Sequence, residues 1–266
     1  MWPWSADRMT RIRLALVAVT AAALVGAALV GVAAPAASAP QSVPSAHDFG
    51  GWPTVGALLT TNGTDHSPQT HNCTASVVNS PHHNLIMTAA HCVYDSGSGW
   101  RKYLAFFPGY NGGPSSTYGS WYAYGRGVKM LVNQGWITNR DPAYDYAFIV
   151  LTPSGGKSVQ DRTGALNLSF DTGLPKKIDL VGYPANGAKP RICSGSTTGG
   201  KVQQWFVQFD CTNLPGGTSG SPWTVQGSKN VIGLTGGYEE GGGAVHNYSV
   251  YFDHETRDLY QRAEAL

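Results

Sequence analysis

Short apolar runs recur from Trp52 to Phe252, each closed by glycine, proline or serine. In the first half they cover residues 52–59, 74–78, 85–88, 103–107, 121–124, 128–132 and 146–151. In the second they cover 178–182, 202–209, 221–225, 231–235 and 249–252. Such runs are strand-length, and the breakers between them prevent fusion into longer elements. Regularly spaced short strands with turn residues between them describe an all-β protein, a sandwich or a barrel. The polar, turn-rich stretch 152–163 divides the runs into expected units at 49–155 and 156–266. The halves share a style but no close sequence repeat. Residues 253–266 depart from the pattern. Leu259, Tyr260, Ala263 and Leu266 recur at helical spacing behind Asp253, which predicts a capped amphipathic helix.

The first 39 residues read as an export signal. Arg8, Arg11 and Arg13 precede an apolar run at 14–34, and Ala37-Ser38-Ala39 offers small residues for cleavage. Pro40 disfavours a cut directly after Ala39, and an uncleaved anchor is the alternative, since the run approaches spanning length. Residues 40–48 read as a flexible leader or short propeptide, with order beginning near Phe49. The signal holds three of the 18 basic and one of the 16 acidic residues, so its loss leaves 15 of each. A balanced chain carries no electrostatic case for nucleic acid, and no later run is long enough to span a membrane. The expected product is secreted, soluble and monomeric.

An exported chain with four cysteines, Cys73, Cys92, Cys193 and Cys211, is expected to hold two disulfides. Three pairings are possible. Spacing favours Cys73–Cys92 and Cys193–Cys211, since each pair brackets two strand-like runs. No Cys-x-x-Cys pair favours zinc, and no metal or other cofactor is expected.

The chemistry centres on Gly216-Gly217-Thr218-Ser219-Gly220-Ser221-Pro222, a glycine-rich stretch between apolar runs. Glycines there let a tight turn expose a serine hydroxyl and aim N–H groups at one point, although a plain Gly/Ser turn has the same composition. A serine nucleophile needs a base and a group to orient that base. Of eight histidines, His91 stands out: it follows a strand end through Ala89 and Ala90 and precedes Cys92. Asp145 heads the apolar run 146–151, where a carboxylate near the core needs a partner; Asp95 and Asp141 compete from polar turns. The order His91, Asp145, Ser219, with intervals of 54 and 74 residues, is neither that of the α/β-hydrolases nor that of the subtilisins.

Thr88-Ala89-Ala90-His91-Cys92, Asp145-Tyr146-Ala147-Phe148-Ile149-Val150-Leu151 and Gly217-Thr218-Ser219-Gly220-Ser221-Pro222 resemble the three motifs of the chymotrypsin–trypsin serine endopeptidases. With Gly182-Tyr183-Pro184 upstream, the serine motif is most similar to the secreted bacterial branch that includes the glutamyl endopeptidases. The resemblance runs from Phe49 to the C-terminus. It implies two antiparallel six-stranded β-barrels, with His91 and Asp145 from the first and Ser219 from the second. It also implies a Cys73–Cys92 bridge that staples the loop bearing the base. The implied chemistry is hydrolysis of polypeptides through an acyl-enzyme, with the N–H groups of Gly217 and Ser219 as the oxyanion hole.

Two positions depart from well-known members of that family. Thr218 replaces the aspartate that many animal members pair with a newly freed N-terminus. Asn213, six residues before Ser219, replaces the aspartate that selects arginine or lysine. Thr235 stands where glutamyl endopeptidases carry a pocket histidine, so neither a basic nor an acidic preference is implied. Gly236, Gly237 and Tyr238 are the expected edge for strand addition by substrate. Glu239 and Glu240 follow, as a solvated loop or as an attraction for a positive side chain. A catalytically inactive binding protein on the same fold, and an esterase with the same triad, are the rival readings.

Overall fold

The computed structural model describes residues 42–62, 67–112, 116–123, 129–187 and 189–266. The export signal and its cleavage site lie outside these, as do Tyr124 and Val128 at the ends of two expected strands. The first large sheet has seven antiparallel strands in the order Trp121–Ala123, Leu104–Pro108, Val55–Asn62, Ser67–Val77, Leu85–Thr88, Ala147–Val150 and Lys129–Val132. Leu85–Thr88 shows why the order holds. All four residues are buried, and Leu85, Ile86 and Met87 lie opposite Val150, Ile149 and Phe148. A strand without a polar face is stable only where both of its faces are covered.

The second sheet runs His47–Asp48, Arg191–Ser196, Lys177–Gly182, Pro222–Val225, Asn230–Leu234 and Asn167–Leu168, with only the last pairing parallel. A ribbon of Phe206–Asp210 and His246–Val250 curls over it. The ribbon meets the sheet at both ends, through the Thr197–Phe209 bridge and through Gly236 N–H, which donates to Tyr248 O. The result is a nearly closed barrel around Ile178, Leu180, Phe209, Trp223 and Ile232. The all-β, chymotrypsin-like architecture matches the expectation. Strand counts differ in detail, because short edge pairings extend each sheet.

Both disulfides form as spacing favoured, Cys73–Cys92 in the first half and Cys193–Cys211 in the second. The helix α3 (His254–Glu264) also forms, with Asp253 as its cap: the carboxylate accepts from Glu255 N and Thr256 N. Its buried Leu259 and Ala263 face the first sheet, where the Tyr260 ring packs 5.6 Å from that of Phe148.

Three features depart from the sequence reading. Order begins before Phe49. Ala46 is buried beside Cys193 and Cys211, its N–H donates to Thr212 O, and Thr212 N–H donates to Pro44 O. Edge pairing uses backbone groups, so a polar, proline-containing segment can dock without an apolar pattern. Arg191–Ser196 is a full strand although it reads as polar, because one of its faces is open to solvent. Two short helices form, α1 (Gln134–Asn139) in a stretch assigned to no element and α2 (Val159–Thr163) within the polar, turn-rich stretch 152–163.

Candidate active site

His91 lies in a single 3₁₀ turn, Ala90–Cys92, just after the interior strand Leu85–Thr88. Ala89 and Ala90 are fully buried, and their small side chains let the turn sit against the core while the Cys73–Cys92 bridge ties it to the neighbouring strand. Asp145 is fully buried and accepts three hydrogen bonds. Oδ1 takes His91 N at 2.9 Å, and Oδ2 takes His91 Nδ1 at 2.8 Å and Gly237 N at 2.8 Å. Three donors on a buried carboxylate fix its position and orientation. With Nδ1–H given to Asp145, Nε2 is the basic nitrogen of His91. Burial is the largest influence on the imidazole and disfavours its charge. The charge and hydrogen bond of Asp145, helped by Glu240 and opposed by Arg140, outweigh it, so the His91 pKa lies above its usual value.

The rival carboxylates have other duties. Asp141 caps the turn Pro142–Tyr144 that delivers Asp145, accepting from Ala143 N at 2.9 Å. Asp95 accepts from Gly97 N and Ser98 N in its own turn and pairs with Arg140.

The serine loop is seated on the first sheet by Thr74, a fully buried residue next to Cys73. Thr74 N donates to Ser219 O at 2.8 Å, Thr74 Oγ1 donates to Gly217 O at 3.0 Å, and that hydroxyl accepts from Tyr183 N at 2.8 Å. Gly220 adopts φ +83°, and a Cβ there would come within 2.2 Å of Thr74 O. Gly217 adopts φ +98°, and a Cβ would meet Ala185 N at 2.2 Å. Only glycine fits these two places. The loop's three hydroxyls are not equivalent. Ser221 Oγ is buried and donates to Thr218 O at 2.6 Å, and Thr218 Oγ1 donates to Pro215 O at 2.9 Å. Ser219 is partly exposed, and its Oγ makes no hydrogen bond among the described residues, with His91 or any other group. Such contacts are commonly loose without substrate. The N–H groups of Gly217 and Ser219 likewise donate to nothing among the described residues.

The other expected contact residues divide. Asn213 is exposed at φ 66°, its Oδ1 accepting from Arg191 and its Nδ2 donating to Ala46 O. Thr235 is buried, and its hydroxyl accepts from Trp223 Nε1 at 3.1 Å. The N–H groups of Gly236 and Gly237 serve Tyr248 and Asp145, so neither is open to a substrate carbonyl. Tyr238 is half-buried beside Phe206 and Tyr248. Glu240 pairs with Arg140.

Cys73, His91 and Cys92 lie close enough together to suggest a metal centre. The donor chemistry does not fit one, since both sulfurs are joined in a disulfide and His91 Nδ1 serves Asp145.

The trypsin-like peptidase domain family matches residues 73–234, which contain His91, Asp145 and Ser219. A curated relative, an extracellular metalloprotease of Bacillus subtilis (strain 168), is 35% identical over 158 residues. The match covers 58% of this chain and 46% of that one, so the chain spans just under half of its relative's length. Among solved structures, the protease Anisep of Arthrobacter nicotinovorans superposes with a TM-score of 0.71 at 24% identity, over 83% of this chain and all of the other. A Glu endopeptidase superposes with a TM-score of 0.64 at 20% identity, over 84% of this chain and 98% of the other. The family match spans more than half of the chain, and the chain belongs to the trypsin-like peptidase domain family.

Proposed function

We propose that the chain is a secreted serine endopeptidase that cleaves polypeptides, as a monomer, through Ser219, His91 and Asp145. The observation that carries this reading is the Asp145 carboxylate, fully buried and bonded to both His91 N and His91 Nδ1. Ser219 Oγ attacks the scissile carbonyl while His91 Nε2 takes its proton. Asp145 keeps the imidazole in that tautomer and stabilises the imidazolium. The unengaged N–H groups of Gly217 and Ser219 receive the developing oxyanion, each worth about 3 kcal/mol in such sites. His91 then returns the proton to the leaving amine, and water resolves the ester. Export is supported by the basic, apolar N-terminus and by the likeness to an extracellular protease. Among the described residues no helix is long and apolar enough to cross a membrane.

A fluorophosphonate probe tests the chemistry. The serine oxygen forms a bond to phosphorus, fluoride leaves, and His91 takes the proton. Labelling that maps to Ser219 in the wild type, and disappears in Ser219→Ala, is the expected result. An unlabelled wild type favours the inactive binding protein. Labelling of Ser219 without cleavage of any member of a mixed-peptide library favours the esterase.

A further inference from the structure

Arg140 closes α1 with a left-handed backbone, φ 50°, and sits five residues before Asp145. Its guanidinium is shared three ways. Nη1 reaches Asp95 Oδ2 at 3.1 Å, Nη2 reaches Glu240 Oε1 at 2.6 Å, and the plane lies 5.3 Å from the centre of the Trp136 ring. Each partner leads to the catalytic groups. Asp95 lies four residues after His91 on the same loop. Trp136 is buried, with its ring 6.4 Å from that of His91. Glu240 follows Gly237, whose N–H holds Asp145, and Glu240 N donates to Gly237 O at 2.9 Å. Glu239 and Glu240 are also left-handed, each at φ 52°. Three non-glycine residues in that region, at the two ends of one ion pair, mark a conformation imposed by its surroundings.

We propose that Arg140 is a positioning residue for the hydrolytic reaction: its guanidinium, forked between Asp95 and Glu240 over Trp136, locks the His91 loop, the Asp145 loop and the Gly237 strand end together. This rests on the reading of His91 as general base for Ser219. The lock matters because the reacting groups come from different sheets. His91 and Asp145 stand on the first, whereas Ser219 and the Gly237 N–H stand on the second. Misplacement by about 1 Å can lower such a rate a hundredfold. One planar cation serving two carboxylates from separate nitrogens while stacking on indole is a task for arginine, and lysine cannot reproduce the fork.

The rate of Ser219 phosphonylation by a fluorophosphonate, followed against pH, provides the test. The charged groups facing His91 are Asp145, Glu240 and Arg140. Arg140→Gln is expected to slow labelling about tenfold and to move its acid limb to higher pH, because a positive charge beside the imidazole is lost. Glu240→Gln is expected to slow labelling and move the limb to lower pH. Arg140→Lys keeps the charge, so the limb stays while the rate recovers only in part. Thermal unfolding and tryptophan fluorescence report the folded fraction, and rates are taken per folded molecule. Wild-type rates with unmoved limbs in both Arg140→Gln and Glu240→Gln would overturn the proposal, as would full recovery in Arg140→Lys. Labelling that persists in Ser219→Ala defeats the triad reading instead, so the two failures are distinguishable.

Discussion

At the scale of single residues, Gly220 is the place where the serine loop has the least room. Its φ of +83° is left-handed, and a Cβ would come within 2.2 Å of Thr74 O and 2.3 Å of Thr88 Oγ1. Gly220→Ala is expected to destabilise the fold by about 1–3 kcal/mol from backbone strain. The loop can relieve the clash only by withdrawing from Thr74, so Ser219 labelling slows as well. Gly216→Ala is the matched control. Nothing lies within 4 Å of a Cβ there, and thermal unfolding and labelling rate are expected to stay near wild type. The three residues proposed to react stand out in the sequence because each sits in a short motif with local cues: small neighbours at His91, an apolar run after Asp145, glycines around Ser219. Thr74 and the N–H of Gly237 do not. Their bonds to Gly217 and Asp145 join residues 143 and 92 positions apart, and neither a lone threonine nor a backbone amide carries a signature of its distant partner.

At the scale of elements, the two disulfides separate stability from function. Their sequence separations are 19 and 18, so loop closure assigns each about 3 kcal/mol. Cys73–Cys92 also pins the turn that carries His91, whereas Cys193–Cys211 packs in the apolar core of the second sheet with Ile178, Leu180 and Phe209. Replacing either pair with alanines is expected to lower the urea midpoint by a similar amount. Only the Cys73/Cys92 replacement should also lower the Ser219 labelling rate per folded molecule. Equal rates for the two would remove the bridge's role in holding the base. Strands with apolar runs, such as Leu85–Thr88 and Ala147–Val150, were readable because burial on both faces leaves an unbroken hydrophobic trace. Arg191–Ser196 and α1 were not. The first has one buried residue, Cys193, followed by Ser194, Gly195 and Ser196, and the second is six residues long, includes Gly135, and is set by its Asn133 cap and Trp136. The docking of residues 42–48 was hidden for a related reason: it bonds to Thr212, Asn213 and the strand Arg191–Ser196 mainly through its own main-chain atoms, which any sequence supplies.

At the scale of the whole molecule, the His91–Asp145 pair sets stability and activity against each other along the pH axis. Contacts from both halves of the fold converge on it, with the first sheet holding the imidazole and the Gly237 N–H holding the carboxylate. The folded-state pKa of His91 is raised above its ordinary value of 6.5 despite burial, because the charge and hydrogen bond of Asp145 outweigh desolvation. A group whose pKa rises on folding stabilises fully below its unfolded pKa, and that contribution is lost as pH rises through the folded value. The proposed catalysis runs the other way, since in it only the neutral imidazole accepts the Ser219 proton. The acid limb of Ser219 labelling is therefore expected above pH 6.5, in the same range where the charge-dependent stabilisation disappears. Comparing wild type with His91→Gln isolates the effect, because every other titrating group is common to both. Their difference in unfolding free energy should be largest below pH 6.5 and shrink as pH climbs through the acid limb of the wild type. A difference that stays constant, or grows, across that interval would mean that Asp145 does not favour the imidazolium, and the electrostatic account of the base would fall with it.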